Sequence, residues 1–212
     1  MAETQNNPQT LLVEGKTDQH IVWALCGHYQ VVENFKVKDC DGVGKLMEVL
    51  KMMLSNPSHQ KTIGIILDAD NDMAARLDQI RNTVKPLGYT IPKALPPTGL
   101  ICTSSDPMYP KLGVWLMPDN VNLGMVEDFA LSLVPQDESL IIEAESVLQR
   151  IEQAGIQKYI PSHRSKAKIH TYLAWQDEPG APIGQSITKH VLDPNRPTAQ
   201  AFVKKWLEPL FQ

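Results

Sequence analysis

The sequence predicts an α/β protein with a mostly parallel sheet flanked by helices, followed by a helical C-terminal portion. Two observations predict this class. Short apolar runs alternate with amphipathic helical patterns between residues 11 and 85, which favours crossover connections onto a parallel sheet. In addition, the run 62–67 is apolar at successive positions, as expected of a strand that is buried on both faces.

Three strand–helix units make up the first part of the prediction. Asp18 is the predicted N-cap of the first helix, Asn56-Pro57 ends the second, and Pro86 ends the third. Residues 1–9 are expected to be a frayed terminus. In order, the predicted elements are strand 11–13, helix 18–27, strand 31–40, helix 45–54, strand 62–67 and helix 73–85.

The composition changes after this stretch, because seven of the sixteen prolines fall between residues 86 and 118. We divide the chain near residue 134 into an α/β core, residues 1–134, and a helical portion, residues 135–212, which is expected to pack on the core. The later predicted elements are strands 99–102 and 112–117, a helix from residue 125, and helices 140–151, 164–176, 183–191 and 198–208, with Trp175 and Trp206 at core-like positions.

Size and composition restrict the class of protein. The 212 residues suffice for one sizeable domain, alone or with an appendage, and 42% of them are hydrophobic, which is ordinary for a soluble protein. No apolar stretch is long enough to cross a bilayer, and the polar start lacks the apolar region of a signal peptide, so a cytoplasmic location is expected. The three cysteines are scattered and odd in number, which favours buried thiols over disulfides or a zinc site.

The charge pattern gives two indications about partners. The net charge is −4, whereas a strong non-specific binder of duplex nucleic acid is usually basic. One segment, residues 153–176, lacks Asp and Glu but contains several basic side chains. This segment could face a phosphate backbone, and a solvated helix face explains it about as well.

Acidic side chains follow two of the predicted strands. Asp68, Asp70 and Asp72 stand within five residues directly after the strand at 62–67, and Glu14 with Gly15 follows the first strand. Like charges repel unless a cation offsets them, and carboxylates are preferred ligands of Mg²⁺ and Mn²⁺. Metal binding is therefore favoured for Asp68 and Asp70, whereas a role as helix N-cap explains Asp72 equally well.

The pair of motifs Glu14-Gly15 and Asp68-Ala-Asp70, separated by a βα unit, resembles the Toprim domain. That metal-binding, Rossmann-like fold is shared by topoisomerases, DnaG-type primases and nucleases of the OLD (overcoming lysogenization defect) type, and the resemblance covers roughly residues 10–130. Among these relatives, the chain looks most like small stand-alone Toprim proteins akin to the OLD nucleases, without their ATPase part. Three further matches favour the OLD-like branch: Asp18, Glu127, and Lys168 or Lys166.

The resemblance implies metal-dependent hydrolysis of phosphodiester bonds in nucleic acid, with DNA favoured over RNA. It implies two Mg²⁺ or Mn²⁺ ions. Glu14, Asp68 and Asp70 would hold one, while Asp18, Glu127 and Asp70 would hold the other, and Asp72 is a further candidate ligand. Lys168 would offset charge on the phosphate. A homodimer or a separate ATPase partner is also expected.

Two other functions stay open at this point. The chain could be a non-catalytic Toprim-like module that binds metal, nucleic acid or a partner protein, which the acidic charge and small size favour. The sequence Leu67-Asp-Ala-Asp70 also resembles the motif of HAD (haloacid dehalogenase) phosphatases, with Asp68 as nucleophile. Such enzymes require Thr or Val where Asp72 stands, and Glu14 would then have no role.

Overall fold

A five-stranded sheet forms the centre of the computed structural model, which describes residues 8–212. The strands lie in the order β2-β1-β3-β5-β4, and all neighbours pair in parallel except the short edge strand β4, which is antiparallel to β5. The predicted fold class is confirmed. The strands are β1 (Gln9–Val13), β2 (Lys36–Asp39), β3 (Thr62–Asp68), β4 (Leu100–Cys102) and β5 (Lys111–Met117).

Helices cover both faces of this sheet. In the first part of the chain they alternate with the strands, and after β5 the described chain is mainly helical. Their bounds are α1 (Lys16–Tyr29), α2 (Val43–Leu54), α3 (Met73–Val84), α4 (Val126–Ser132), α5 (Ser139–Gln153), α6 (Arg164–Ala174), α7 (Ile183–Thr188), α8 (Pro197–Gln200) and α9 (Glu208–Phe211), with a π-helical stretch, Ala201–Leu207, between the last two.

The two faces of the sheet carry separate apolar cores, because successive side chains of a strand point to opposite faces. Leu11 and Val13 of β1 pack with α1 and the C-terminal helices on one face. Leu12 packs with α2 and α3 on the other face. The loops after β1 and β3 therefore lead to opposite faces, and neighbouring strands whose loops diverge in this way leave a crevice at their carboxyl ends.

Two glycines allow the C-terminal helices to lie close to the sheet. Gly64 of β3 and Gly113 of β5 are direct neighbours across the strands. A Cβ at Gly64 would lie 2.9 Å from Leu210 Cδ2, and a Cβ at Gly113 would lie closer still to the same atom. Larger residues would force the last helix away from the sheet, which explains why these two strand positions are glycine.

The predicted elements differ from the observed ones in three places. The predicted strand 31–40 is wrong over its first part: Val31 closes the end of α1 through a hydrogen bond from its N–H to Cys26 O, and β2 begins only at Lys36. Asp18 is not the N-cap of α1, which is Gly15. Trp206 is fully buried as predicted, but Trp175 is 41% exposed because it lies just beyond the end of α6.

The structure tests other predictions only in part or not at all. Of the predicted frayed terminus, residues 1–7 lie outside the described residues, while Gln9 already belongs to β1. The division near residue 134 stays a prediction.

Cys26 and Cys40 are free, buried thiols as predicted, and Cys102 is a partly buried thiol. Within residues 8–212 there is no helix both long enough and apolar enough to cross a membrane.

Candidate functional site

A cleft of about 600 Å³ opens where β1, β2 and β3 end, at the crevice that the diverging loops create. The start of α4 and the start of α6 close its other sides. Its lining is rich in charged side chains. The carboxylates that line it are Glu14, Asp18, Asp39, Asp41, Asp68 and Glu127, and the basic side chains are Lys16, His163 and Lys166.

Glu14 and Asp68 meet in this cleft although they are 54 residues apart in the chain. Glu14 directly follows β1, and Asp68 is the last residue of the adjacent parallel strand β3; Val13 of β1 pairs with Ile66 of β3. Glu14 Oε1 accepts a hydrogen bond of 3.2 Å from the backbone N–H of Asp68. This contact fixes one carboxylate oxygen of Glu14, and its other oxygen has no hydrogen-bond partner among the described residues.

Asp68 also connects the sheet to α4. Its backbone is paired with Met117 of β5, and its Oδ1 accepts a hydrogen bond of 2.9 Å from the N–H of Val126, the first residue of α4. The next residue, Glu127, is only 5% exposed and lines the cleft beside Asp68. The start of α4 thus adds a buried helix carboxylate to the lining of the cleft.

Asp18 reaches the cleft from the first turn of α1. Its side chain accepts a hydrogen bond of 3.1 Å from the N–H of Gly15, so it stabilises the helix start from the third helical position. Asp18 is 5% exposed. One carboxylate therefore serves both as a helix cap and as part of the cleft lining.

Burial and mutual repulsion oppose ionisation of these acids. Desolvation, followed by the charges of Asp18 and Glu14, raises the pKa of Asp68 to about 9. Desolvation raises the pKa of Asp18 to about 7, against the hydrogen bond from Gly15, which lowers it. Burial also raises the pKa of Glu14, which the Asp68 N–H partly offsets. A cation or protons must therefore compensate the negative charge of the cleft.

The lysines of α6 have different surroundings. Lys166 lines the cleft, and its ammonium lies 3.1 Å from a carboxylate oxygen of Glu127. Lys168 does not line the cleft, because its ammonium pairs with Glu145 of α5 at 2.9 Å. Arg164 pairs with Glu145 as well. Glu145 of α5 thus neutralises two basic side chains of the segment 153–176, Arg164 and Lys168. Lys166 of the same segment lies at the acidic cleft.

The two remaining aspartates of the predicted cluster lie outside the cleft lining. Asp70 has φ 51°, and its carboxylate pairs with Arg76 of α3 at 2.6 Å. Asp72 is exposed and is the N-cap of α3, with its Oδ1 accepting a hydrogen bond of 2.9 Å from Ala75 N–H. The N-cap interpretation of Asp72 is confirmed, and a metal-binding role for either residue stays a prediction.

Sequence reasoning missed two acids and one base of this region. Asp39 and Asp41 line the cleft from the end of β2, next to β1. Their signal was present, since Asp41-Gly42 repeats the strand–acid–glycine pattern of Glu14-Gly15. Arg76 had no such signal, because its contact with Asp70 depends on how the loop after β3 folds back towards α3.

The acidic side chains share one cavity. Among the described residues, no group of three or more His, Cys, Asp and Glu side chains is arranged so that it could hold a metal ion. The carboxylates would have to converge further to coordinate one cation together.

Comparisons with known proteins identify a matching family model and a similar solved structure. A family model described as "Protein of unknown function (DUF3226)" matches residues 8–212. Among solved structures, the C-terminal region of the Xanthomonas campestris pv. campestris OLD protein is similar, with 15% identity, coverage of 90% of this chain and 96% of that chain, and a TM-score of 0.38. No curated protein matches the sequence.

The buried carboxylates predict an unusual dependence of stability on pH. The folded protein keeps the proton of Asp68 up to about pH 9, whereas the unfolded chain releases it near the ordinary pKa of 3.8. Between these values the folded state binds more protons, so the free energy of unfolding falls as pH rises. With a chelator present, urea denaturation should show a loss of at least about 1 kcal/mol between about pH 5 and 8.5.

Asp68→Asn removes this titrating group and should make the fall less steep, with higher stability than the wild type at alkaline pH, while Asp18, whose pKa is also raised, keeps part of the slope. Asp137→Asn, which alters an exposed carboxylate outside the cleft lining, is the matched control and should leave the slope unchanged. Parallel curves for the wild type and Asp68→Asn would contradict the account of the cleft electrostatics.

Proposed function

The chain belongs to the DUF3226 family, and from the acidic cleft we propose that it hydrolyses phosphodiester bonds of nucleic acid with the help of divalent cations. One observation carries the proposal: Glu14 and Asp68 converge from distant parts of the chain at the ends of adjacent parallel strands. Open α/β sheets place their ligands at such a crevice. Both residues belong to the motifs Glu14-Gly15 and Asp68-Ala-Asp70, on which the resemblance to Toprim nucleases depends.

The donor chemistry of the cleft fits hard cations. Carboxylate oxygens are the ligands that Mg²⁺ and Mn²⁺ prefer. Four carboxylates that line the cleft supply such oxygens: Glu14, Asp18, Asp68 and Glu127. Burial favours their protonated forms, so a bound cation would displace these protons and stabilise the ionised carboxylates in their place. In the proposed site, Glu14 and Asp68 hold one ion, and Asp18 and Glu127 hold the other.

The protein's own groups would position the substrate. Two divalent cations, when bound, supply an activated water and stabilise the attacking and leaving oxygens of a phosphodiester. Lys166 stands at the cleft with its ammonium against Glu127, and it can also pair with a phosphate oxygen. Lys16 and His163 are exposed at the same cleft and provide further contacts for a phosphate backbone.

A non-catalytic role is the second candidate. The described residues contain no ready-made group of three metal ligands, and the net charge of −4 opposes tight non-specific binding of nucleic acid. In that case the cleft would bind a cation or a partner without turnover. A homodimer or a separate ATPase partner would be compatible with either role and stays a prediction.

A phosphatase role of the HAD type has less support from the site. It would need Thr or Val at the position of Asp72, which is instead the exposed N-cap of α3. Glu14, which contacts Asp68 directly, would also have no part in that chemistry.

The nuclease proposal predicts nicking of supercoiled DNA, or cleavage of RNA, that depends on added Mn²⁺. Glu14→Gln should lower the rate by about 100-fold or more, because it replaces a charged ligand by a neutral amide in the centre of the site. The rate is measured by gel electrophoresis of the products at several Mn²⁺ concentrations.

Glu143→Gln is the matched control, because Glu143 is exposed on α5 and does not line the cleft. Full activity in Glu14→Gln would refute the proposed roles. If the wild-type protein binds Mn²⁺ in a calorimeter and yet leaves every nucleic acid intact, the non-catalytic role is selected.

The two lysines of α6 should behave differently. Lys166→Gln should lower the cleavage rate by roughly 10- to 100-fold, and it should also lower stability because it leaves the buried Glu127 carboxylate without its ion-pair partner. Lys168→Gln should keep the rate but lose the ion pair with Glu145, at a cost of about 0.5–1 kcal/mol of stability. Single-turnover rates and urea denaturation measure these effects, and loss of activity in Lys168→Gln alone would reverse the assignment.

A further inference from the structure

Arg76 of α3 reaches back to the loop that carries the two aspartates after β3. Its Nη2 donates to Asp70 Oδ2 at 2.6 Å, its Nε donates to the backbone oxygen of Asp68 at 3.1 Å, and its Nη1 donates to Gln79 at 3.1 Å. The Arg76 side chain is only 12% exposed, so this geometry is fixed by its surroundings. A guanidinium in such a fork can hold a backbone oxygen and a carboxylate at once.

The backbone at Asp70 does not depend on this arginine. Asp70 N–H donates to Gly124 O at 2.8 Å, and Gly124 N–H donates to Asp70 O at 3.0 Å. Ala69 N–H donates to Met117 O at 3.1 Å. Three backbone hydrogen bonds thus hold the loop at Ala69 and Asp70. Arg76 in addition fixes the direction of the Asp70 side chain.

Asp70 lies near the acidic cleft without lining it. Its charge raises the pKa of both Glu14 and Asp68, although it is not the largest cause for either group. Its carboxylate is nevertheless turned to Arg76 and is 48% exposed. An ion pair with one partner so exposed to water is weak and can open when a stronger cation competes for the carboxylate.

We propose that Arg76 is a positioning residue that holds the Asp70 carboxylate in an ion pair outside the cleft and thereby withholds it from cations in the cleft. The inference rests on the proposed cation site and deepens it. Opening of the pair would make the Asp70 carboxylate available to the cleft. Arg76 thus sets the cation affinity of the site through Asp70.

A double-mutant cycle with Mn²⁺ as the probe tests this inference. Calorimetric titrations of the full chain are made for the wild type, Arg76→Gln, Asp70→Asn and the double variant. Arg76→Gln should bind Mn²⁺ roughly tenfold more tightly than the wild type. Asp70→Asn should change the affinity less than about twofold, and in the double variant the gain should disappear because Asp70 supplies it.

Arg81→Gln is the matched control on the same helix. Arg81 pairs with Asp78 and donates to the backbone oxygens of Ile91 and Pro92, away from the cleft lining. Its substitution should leave the Mn²⁺ affinity unchanged. Thermal midpoints with a chelator report whether each variant is folded, and Asp70→Asn tests the inference even if Arg76→Gln does not fold.

The outcomes separate this inference from the proposed function. If the wild type binds Mn²⁺ and Arg76→Gln binds it equally or more weakly, Arg76 does not withhold Asp70 and only this inference is wrong. A large loss of affinity in Asp70→Asn would likewise overturn it, since Asp70 would then already be a ligand. If neither the wild type nor Arg76→Gln binds Mn²⁺, the cation site and the inference both fail.

Discussion

The contact between Glu14 and the backbone N–H of Asp68 is the constraint on which the site depends. It requires β1 and β3 to be parallel neighbours in a register that ends both strands at the same edge. It also forces two carboxylates together in a partly desolvated cleft, where Asp18 and Glu127 add further negative charge. Such an arrangement lowers stability at neutral pH unless protons or cations compensate it.

Backbone amides hold the acids in place. Asp68 accepts from Val126 at the start of α4, and Asp18 accepts from Gly15 at the start of α1. These hydrogen bonds connect Asp68 to α4 and connect Asp18 to the start of its own helix, α1. The sheet, α1 and α4 therefore support the cleft together. Arg76 belongs to the same support from α3, where it contacts the Asp68 backbone and the Asp70 side chain.

Sequence patterns predicted the features that depend on local chemistry. The strand–acid motifs at Glu14 and Asp68 and the alternation of strands with helices were sufficient to predict the α/β class and the meeting of these two acids. The pairing of individual side chains on separate helices and loops was beyond such patterns. Lys166 and Lys168 are equivalent in sequence, and only the packing of α5 against α6 directs Lys168 to Glu145 and leaves Lys166 at the cleft. The ion pair between Asp70 and Arg76 likewise depends on how the loop after β3 packs against α3.

Anomalous diffraction from crystals grown with Mn²⁺ tests the central claim most directly, because it locates the ion without reference to activity. The account predicts a manganese peak in the cleft, at about 2.0–2.6 Å from carboxylate oxygens of both Glu14 and Asp68. Crystals with ample Mn²⁺ that show no peak in the cleft, or a peak that contacts neither residue, would contradict it.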